Sequence, residues 1–195
     1  MEQALLISSV LLWAVVLFNL LLTLAVVRKV NSIQDTHQVG RRPEPIGLDV
    51  GAQAPDFVAE TLDGDKVTLA TFAGRPTAFI FIMPNCEPCT EGMPDYLSLA
   101  SKAREAGAEL VLVNVGAATA TRELVNEFNV TTRMLIAPEG LNPFMSDYKM
   151  RGTPSYTYID ANGKIQSTGR PARTLPQWQE IIRSWESAGK ELARA

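Results

Sequence analysis

The chain has 195 residues, of which 46% are apolar and 20% charged, a balance that suits one globular domain with a substantial core and excludes a disordered polypeptide. Its net charge of -3 is spread over both signs without an acidic or basic block, so the electrostatic footprint of a nucleic-acid-binding protein is missing and no nucleic-acid partner is expected.

The first feature along the chain is residues 4–27, ALLISSVLLWAVVLFNLLLTLAVV, which carry no charge. As a helix they would extend roughly 36 Å, enough to cross a bilayer. Glu2 stands where a secretory signal would be basic, and the run exceeds the roughly 7 to 15 apolar residues of such a signal, so residues 1–29 read as an uncleaved single-pass transmembrane anchor. Asn19 reads as one tolerated amide inside it. Arg28 and Lys29 flank its far end, and by charge alone they would place the rest of the chain in the cytoplasm.

Residues 30–50 lack periodicity and hold Gly40, Pro43 and Pro45, as a linker does. His37, the only histidine, falls there with no second histidine and no cysteine close by, so no metal or catalytic role is expected of it.

Residues 51–195 read as one α/β domain. A hairpin is expected around Leu62-Asp63-Gly64-Asp65. Thr77 to Met83, TAFIFIM, is a continuous apolar run of the kind found in a strand covered on both faces. The spacing predicts a helix over residues 94–110, ended near Gly107, then a buried strand over 109–115. A second helix over 121–130, capped by Thr119 or Thr121, and a strand over 133–138 complete a βαβ pattern. Residues 154–169 give two strands joined at Asn162-Gly163, and 175–193 form an amphipathic closing helix.

Only two cysteines are present, Cys86 and Cys89, and they stand three positions apart where the apolar strand gives way to a helix. At that position Cys86 faces unpaired amides and the positive end of the helix dipole, which stabilise a thiolate. Cysteines in such a motif ionise at roughly pH 3.5 to 7.5 rather than about 8.5. Cys86 is then the attacking nucleophile and Cys89, one turn on, the resolving thiol. Pro88 suits a first turn, while Glu87 opposes the thiolate. Zinc needs about four ligands and the chain offers no second cysteine pair, so neither metal nor cofactor is expected. A purely structural bridge closing so short a loop would restrict little of the unfolded chain.

The run GAQAPDFVAETLDGDKVTLATFAGRPTAFIFIMPNCEPC, followed by RGTPSYTYIDANGKI, resembles the membrane-anchored thioredoxin-like thiol-disulfide oxidoreductases of the TlpA and ResA type, and the anchored Pro-X-Cys-X-X-Cys context is also similar to MauD. The CEPC tetrad matches the ResA type, whereas the APDF...DG pattern is shared with peroxiredoxin relatives. The resemblance implies a thioredoxin-like fold, a central mixed sheet flanked by helices, behind an N-terminal transmembrane helix. It implies thiol-disulfide exchange with protein partners and with an upstream donor or acceptor of electrons, on the periplasmic side of the inner membrane and in the maturation of a cytochrome or dehydrogenase. That side, where disulfides form, stands against the charges of Arg28 and Lys29. It also implies a cis proline beside the cysteines, which falls on Pro154, with Thr153 offering backbone groups to an extended partner chain.

Departures from the pattern are specific. Asn85, after Pro84, replaces the usual aromatic residue before the first cysteine; Gly92, beside Glu91, replaces the buried glutamate of the ResA type; Ile80 replaces the acid of thioredoxins on the preceding strand. The group that deprotonates Cys89 is therefore left open between water and Glu91. Lys149 and Arg151, near the GTP loop, read as solvated. Two rival functions remain. A peroxidase would need Thr or Ser at Met83 and Pro at Phe79, and a non-enzymatic maturation or copper chaperone would use the same dithiol.

Overall fold

The structure, a computed structural model, describes residues 3, 12–13, 15–24 and 46–192. Residues 3, 12–13 and 15–24 are helical and belong to a unit of their own, distinct from the globular unit that begins at residue 45. Within them the Thr23 hydroxyl donates to the carbonyl of Asn19, 2.8 Å away. The rest of the expected span, His37 and nearly all of the linker lie outside the described residues. Among the described residues no helix is long and apolar enough to cross a membrane.

The globular unit is built on one mixed sheet. A hairpin of β1 (Val58–Glu60) and β2 (Lys66–Thr68) comes first, and a 3-10 turn (Leu69–Phe72) follows it. Its turn is made by Gly64 at φ 89, a conformation that costs glycine little, and by the Thr61 hydroxyl, which accepts from the amides of Asp63 and Asp65. Then come β3 (Thr77–Ile82), β4 (Glu109–Asn114), β5 (Met134–Ile136), β6 (Ser155–Ile159) and β7 (Ile165–Gly169), in the spatial order β2-β1-β5-β4-β3-β6-β7. The β3–β4 and β4–β5 pairs are parallel and the rest antiparallel.

β3 is the centre of the molecule because both of its faces are apolar. Phe79 and Phe81 point to one core and Ala78, Ile80 and Ile82 to the other, and all five are fully buried. The first core is aromatic: Phe57 stacks on Phe144 at 3.7 Å between ring centroids, and Phe79 meets Phe57, Phe72 and Phe144 edge to face. Tyr148 closes this cluster, and its hydroxyl donates to the carbonyl of Pro55. The second core lies under α1 (Glu87–Glu105), α2 (Ala118–Phe128) and α4 (Pro176–Leu192). On α4, Trp178, Ile181 and Trp185 recur at helical spacing, and all three are buried.

Two helix starts and one short helix depart from expectation. α1 begins at Glu87 rather than at Pro94 and runs through Pro94, which removes one backbone bond, the one to the carbonyl of Thr90, without ending the helix. α2 begins at Ala118 with Ala117 in the cap position and no side-chain cap, so neither Thr119 nor Thr121 caps it. Thr121 instead sits inside the helix, where its hydroxyl donates to the carbonyl of Ala117 and accepts from the side-chain amide of Asn114. The short helix α3 (Phe144–Asp147) has no counterpart in the sequence reading, because four residues are too few to display a period. It exists to press Phe144 and Met145 into the aromatic core.

Candidate active site

β3 ends at Ile82, and residues 83–86 carry the chain over the edge of the sheet into α1. The amide of Cys86 donates to the carbonyl of Met83 at 3.2 Å, closing this turn. Cys86 is the N-cap of α1, with extended backbone at φ -103 and ψ 104, and its carbonyl accepts from the amides of Cys89 and Thr90 at 2.9 and 3.1 Å. Pro88 lies in the first turn, where its missing N–H leaves no bond unmade. Cys86 and Cys89 form a disulfide, with their Cα atoms 5.2 Å apart.

The two sulfurs live in different surroundings. Cys86 is half-buried, while Cys89 is fully buried in the second core with Ile80, Ile82 and Met93. Glu87 and Pro88, between them, are exposed. The helix start that offers Cys86 its amides also carries the Glu87 carboxylate, whose charge works against a thiolate.

Across the sheet, β6 lies antiparallel to β3 with Ser155 opposite Phe81, so the residues just before β6 meet the residues just after β3. The Thr153–Pro154 peptide is cis, as the resemblance implies, and Pro154 is buried. The carbonyl oxygen of Thr153 lies 3.5 Å from Sγ of Cys86. The structure thus brings together all four residues singled out from sequence: Cys86, Cys89, Thr153 and Pro154. Lys149 and Arg151 are exposed, and Ile80 is buried against the face of α1 that carries Cys89.

A third loop completes the site, and sequence reasoning passed over it. Asn114, the last residue of β4, is buried; its Oδ1 accepts from the amide of Gly116 at 3.1 Å and its amide nitrogen donates to Thr121. This ties the β4–α2 loop down. A Cβ on Gly116 would lie 2.7 Å from Cδ of Pro84, so only glycine lets that loop rest against the turn leading to Cys86. The available signal was a polar residue ending an apolar strand. On α1, Gly92 is likewise pressed, because the phenol of Tyr96 lies over it. Burial first, and then the charge of Asp95, push the Tyr96 phenol up to about 12. Among the described residues no group of three His, Cys, Asp or Glu side chains converges to hold a metal ion.

The AhpC/TSA family profile matches residues 50–168. The methylamine utilization protein MauD of Methylobacillus flagellatus is 27% identical over 165 residues, which cover 83% of this chain and 78% of that protein. The thiol-disulfide oxidoreductase ResA of Halalkalibacterium halodurans is 27% identical over 137 residues, covering 68% of this chain and 77% of that one. Among solved structures, a putative thiol:disulfide interchange protein DsbE from Chlorobium tepidum superposes with a TM-score of 0.63 at 24% identity, over 73% of this chain and 99% of that one. These matches agree with the resemblance and the thioredoxin-like mixed sheet that the sequence implied.

Proposed function

The chain belongs to the AhpC/TSA family, and we propose that it is a thiol-disulfide oxidoreductase that exchanges the Cys86–Cys89 pair with cysteines of other proteins. The observation that carries this reading is the asymmetry of the pair at one helix start: a half-buried sulfur beside the Thr153 carbonyl and a fully buried one behind it. An incoming partner thiolate attacks Sγ of Cys86; the Cys86–Cys89 bond breaks and its electron pair leaves on Sγ of Cys89. A second partner thiolate then attacks the partner sulfur of the mixed disulfide and displaces Cys86 as a thiolate. The partner is oxidised by two electrons and the pair is reduced; run backwards, the same steps reduce a partner disulfide.

Thr153, beside the cis proline, presents backbone groups to the partner as an extended segment, which places that segment along Cys86. The helix start favours the thiolate of Cys86, and Cys89, held dry, resolves the mixed disulfide. Residues 1–29 anchor the chain in the inner membrane and 30–50 space the domain, residues 51–195, from it on the periplasmic side. The uncharged run 4–27 and the need for a compartment where disulfides persist support this, and Arg28 and Lys29 stand against it. The partners are cysteine-bearing precursors of a cytochrome or dehydrogenase, a reading that follows from the sequence resemblance; the relatives' names, thiol-disulfide oxidoreductase and methylamine utilization protein, support thiol exchange and a link to methylamine use.

Cys89→Ser tests the exchange. It leaves Cys86 able to capture a partner and removes the thiol that releases it, so covalent adducts sensitive to reductant accumulate. Metal-loaded protein without adducts would instead support a dithiol chaperone. A reporter fused after Ala195 tests the topology, and cytoplasmic activity of the reporter would overturn the placement without touching the chemistry.

A further inference from the structure

Cys89, Met93 and Tyr96 line one face of α1, and all three are buried. Gly92 lies between them and has no side chain to occupy that face. A Cβ built there would stand 2.5 Å from Oη of Tyr96 and 2.6 Å from Cζ. The end of the phenol therefore fills the space that any other residue at position 92 would claim. Helical side chains lean toward the N-terminus, so Tyr96 reaches back over the preceding turn, in the direction of Cys89. Residues three apart on a helix have Cβ atoms about 5–6 Å apart, so a Cβ at position 92 would stand about that far from Cβ of Cys89, and Oη lies 2.5 Å from that point. From there the hydroxyl reaches the sulfur through one water.

The hydroxyl is not engaged by another side chain or carbonyl. Tyr148 donates to Pro55 and Tyr156 shares a hydrogen bond with Ser167, whereas among the described residues no protein hydrogen bond is made by the Tyr96 hydroxyl, which is open to water rather than sealed in the core. Burial, with the charge of Asp95, keeps the phenol protonated up to about 12, so it is a donor and not a base throughout the working range of a thiol. The charge that acts on it is that of Asp95 on its own helix, and the guanidinium of Arg173, from the segment before α4, is paired with Asp95. From β6, Tyr156 packs in the same core, and it too is held protonated by burial.

We propose that Tyr96 is a positioning residue for Cys89, holding that sulfur in its thiolate form by a hydrogen bond donated from Oη through one water. The inference rests on the redox reading of the cysteine pair. When a partner thiolate attacks Cys86, the electron pair of the broken disulfide arrives on Sγ of Cys89, buried among the apolar side chains of Ile80, Ile82 and Met93. The phenol supplies a donor at that moment and transfers no proton, since its own proton is held far more tightly than that of a thiol. In the return step the same bond presents Cys89 as the nucleophile that attacks Cys86 of the mixed disulfide.

The test uses the full-length chain with Cys86→Ser, so that Cys89 is the only thiol, and follows its alkylation by iodoacetamide across pH. Adding Tyr96→Phe keeps the ring over Gly92 and removes only the hydroxyl. The expected result is a roughly tenfold loss of thiolate at a given pH, read as a rise of about one pH unit in the alkylation midpoint. Gly92→Ala, which must displace the phenol, raises the midpoint by a similar amount, and combining it with Tyr96→Phe adds nothing further. A purely packing role for Tyr96 would leave the midpoint where it was. An unchanged midpoint on adding Tyr96→Phe, with the pair cycling normally in the chain that keeps both cysteines, overturns this inference alone; a pair that never cycles in that unaltered chain overturns the redox reading as well.

Discussion

Sγ of Cys86 and the carbonyl oxygen of Thr153 lie 3.5 Å apart, although 67 positions of sequence separate the two residues. Two strands produce this contact: β3 delivers the cysteine and β6, its antiparallel neighbour, delivers the carbonyl. The sulfur is thereby held on the rim of the sheet, where another chain can meet it, while its partner sulfur is inside.

That difference predicts unequal reactivity. In the reduced protein a bulky maleimide should modify Cys86 at least about tenfold faster than Cys89, because Cys86 combines exposure with the amides of a helix start. Peptide mapping after a brief pulse of reagent measures the ratio. Equal labelling of the two would mean that Cys89 is not enclosed as described.

The β4–α2 loop is held by a buried side-chain pair, and its removal should be felt as stability. Thr121→Val keeps the volume but leaves the Asn114 amide without its partner, a loss of about 1–3 kcal/mol. Gly116→Ala pushes a methyl into Pro84 and should cost about 1–3 kcal/mol and slow the reaction of Cys86 with its partner. Urea unfolding with the pair oxidised gives both values; a Gly116→Ala chain as stable and reactive as the parent would show that the close approach to Pro84 has no consequence.

Phe79 sits at the meeting point of three other rings and is fully buried. Phe79→Ala opens a cavity in the aromatic core and should destabilise the domain by about 3–5 kcal/mol. Phe79→Leu, which keeps most of the volume, should cost clearly less in the same urea titration.

Alkaline pH gives a separate check. Burial raises the Tyr96 phenol to about 12 in the folded chain, against about 10 for an unfolded tyrosine. The folded state therefore binds the proton more tightly, and this contribution is complete below pH 10 and is lost as pH climbs from about 10 to about 12. Burial raises Tyr148 as well, so the fall has more than one source. Tyr96→Phe should make the decline of urea-measured stability across that window shallower, and an identical slope would contradict the assignment.

Much of the fold is legible in the sequence because its signals are local. TAFIFIM announces β3 by being apolar on both faces, and Asp63-Gly64 and Asn162-Gly163 mark turns that the structure contains. The Cys86–Cys89 spacing announces the site, and the residues before β6 follow from the resemblance. What escaped depends on contacts between distant or crowded residues. Thr121 has the composition of a cap but is drawn into α2 by Asn114, seven positions earlier on a different element. Tyr96 draws no notice in the sequence, because what marks it is the position of its hydroxyl over Gly92. Four residues of α3 carry no period at all.

Every role proposed for the site rests on reversible interconversion of Cys86 and Cys89 between dithiol and disulfide. Equilibrating the protein in glutathione buffers of graded potential and counting free thiols at each tests it directly. Both thiols should disappear together in one two-electron transition, with a midpoint between about -270 and about -120 mV. Two thiols that persist across the whole range, or that vanish independently of one another, would contradict it.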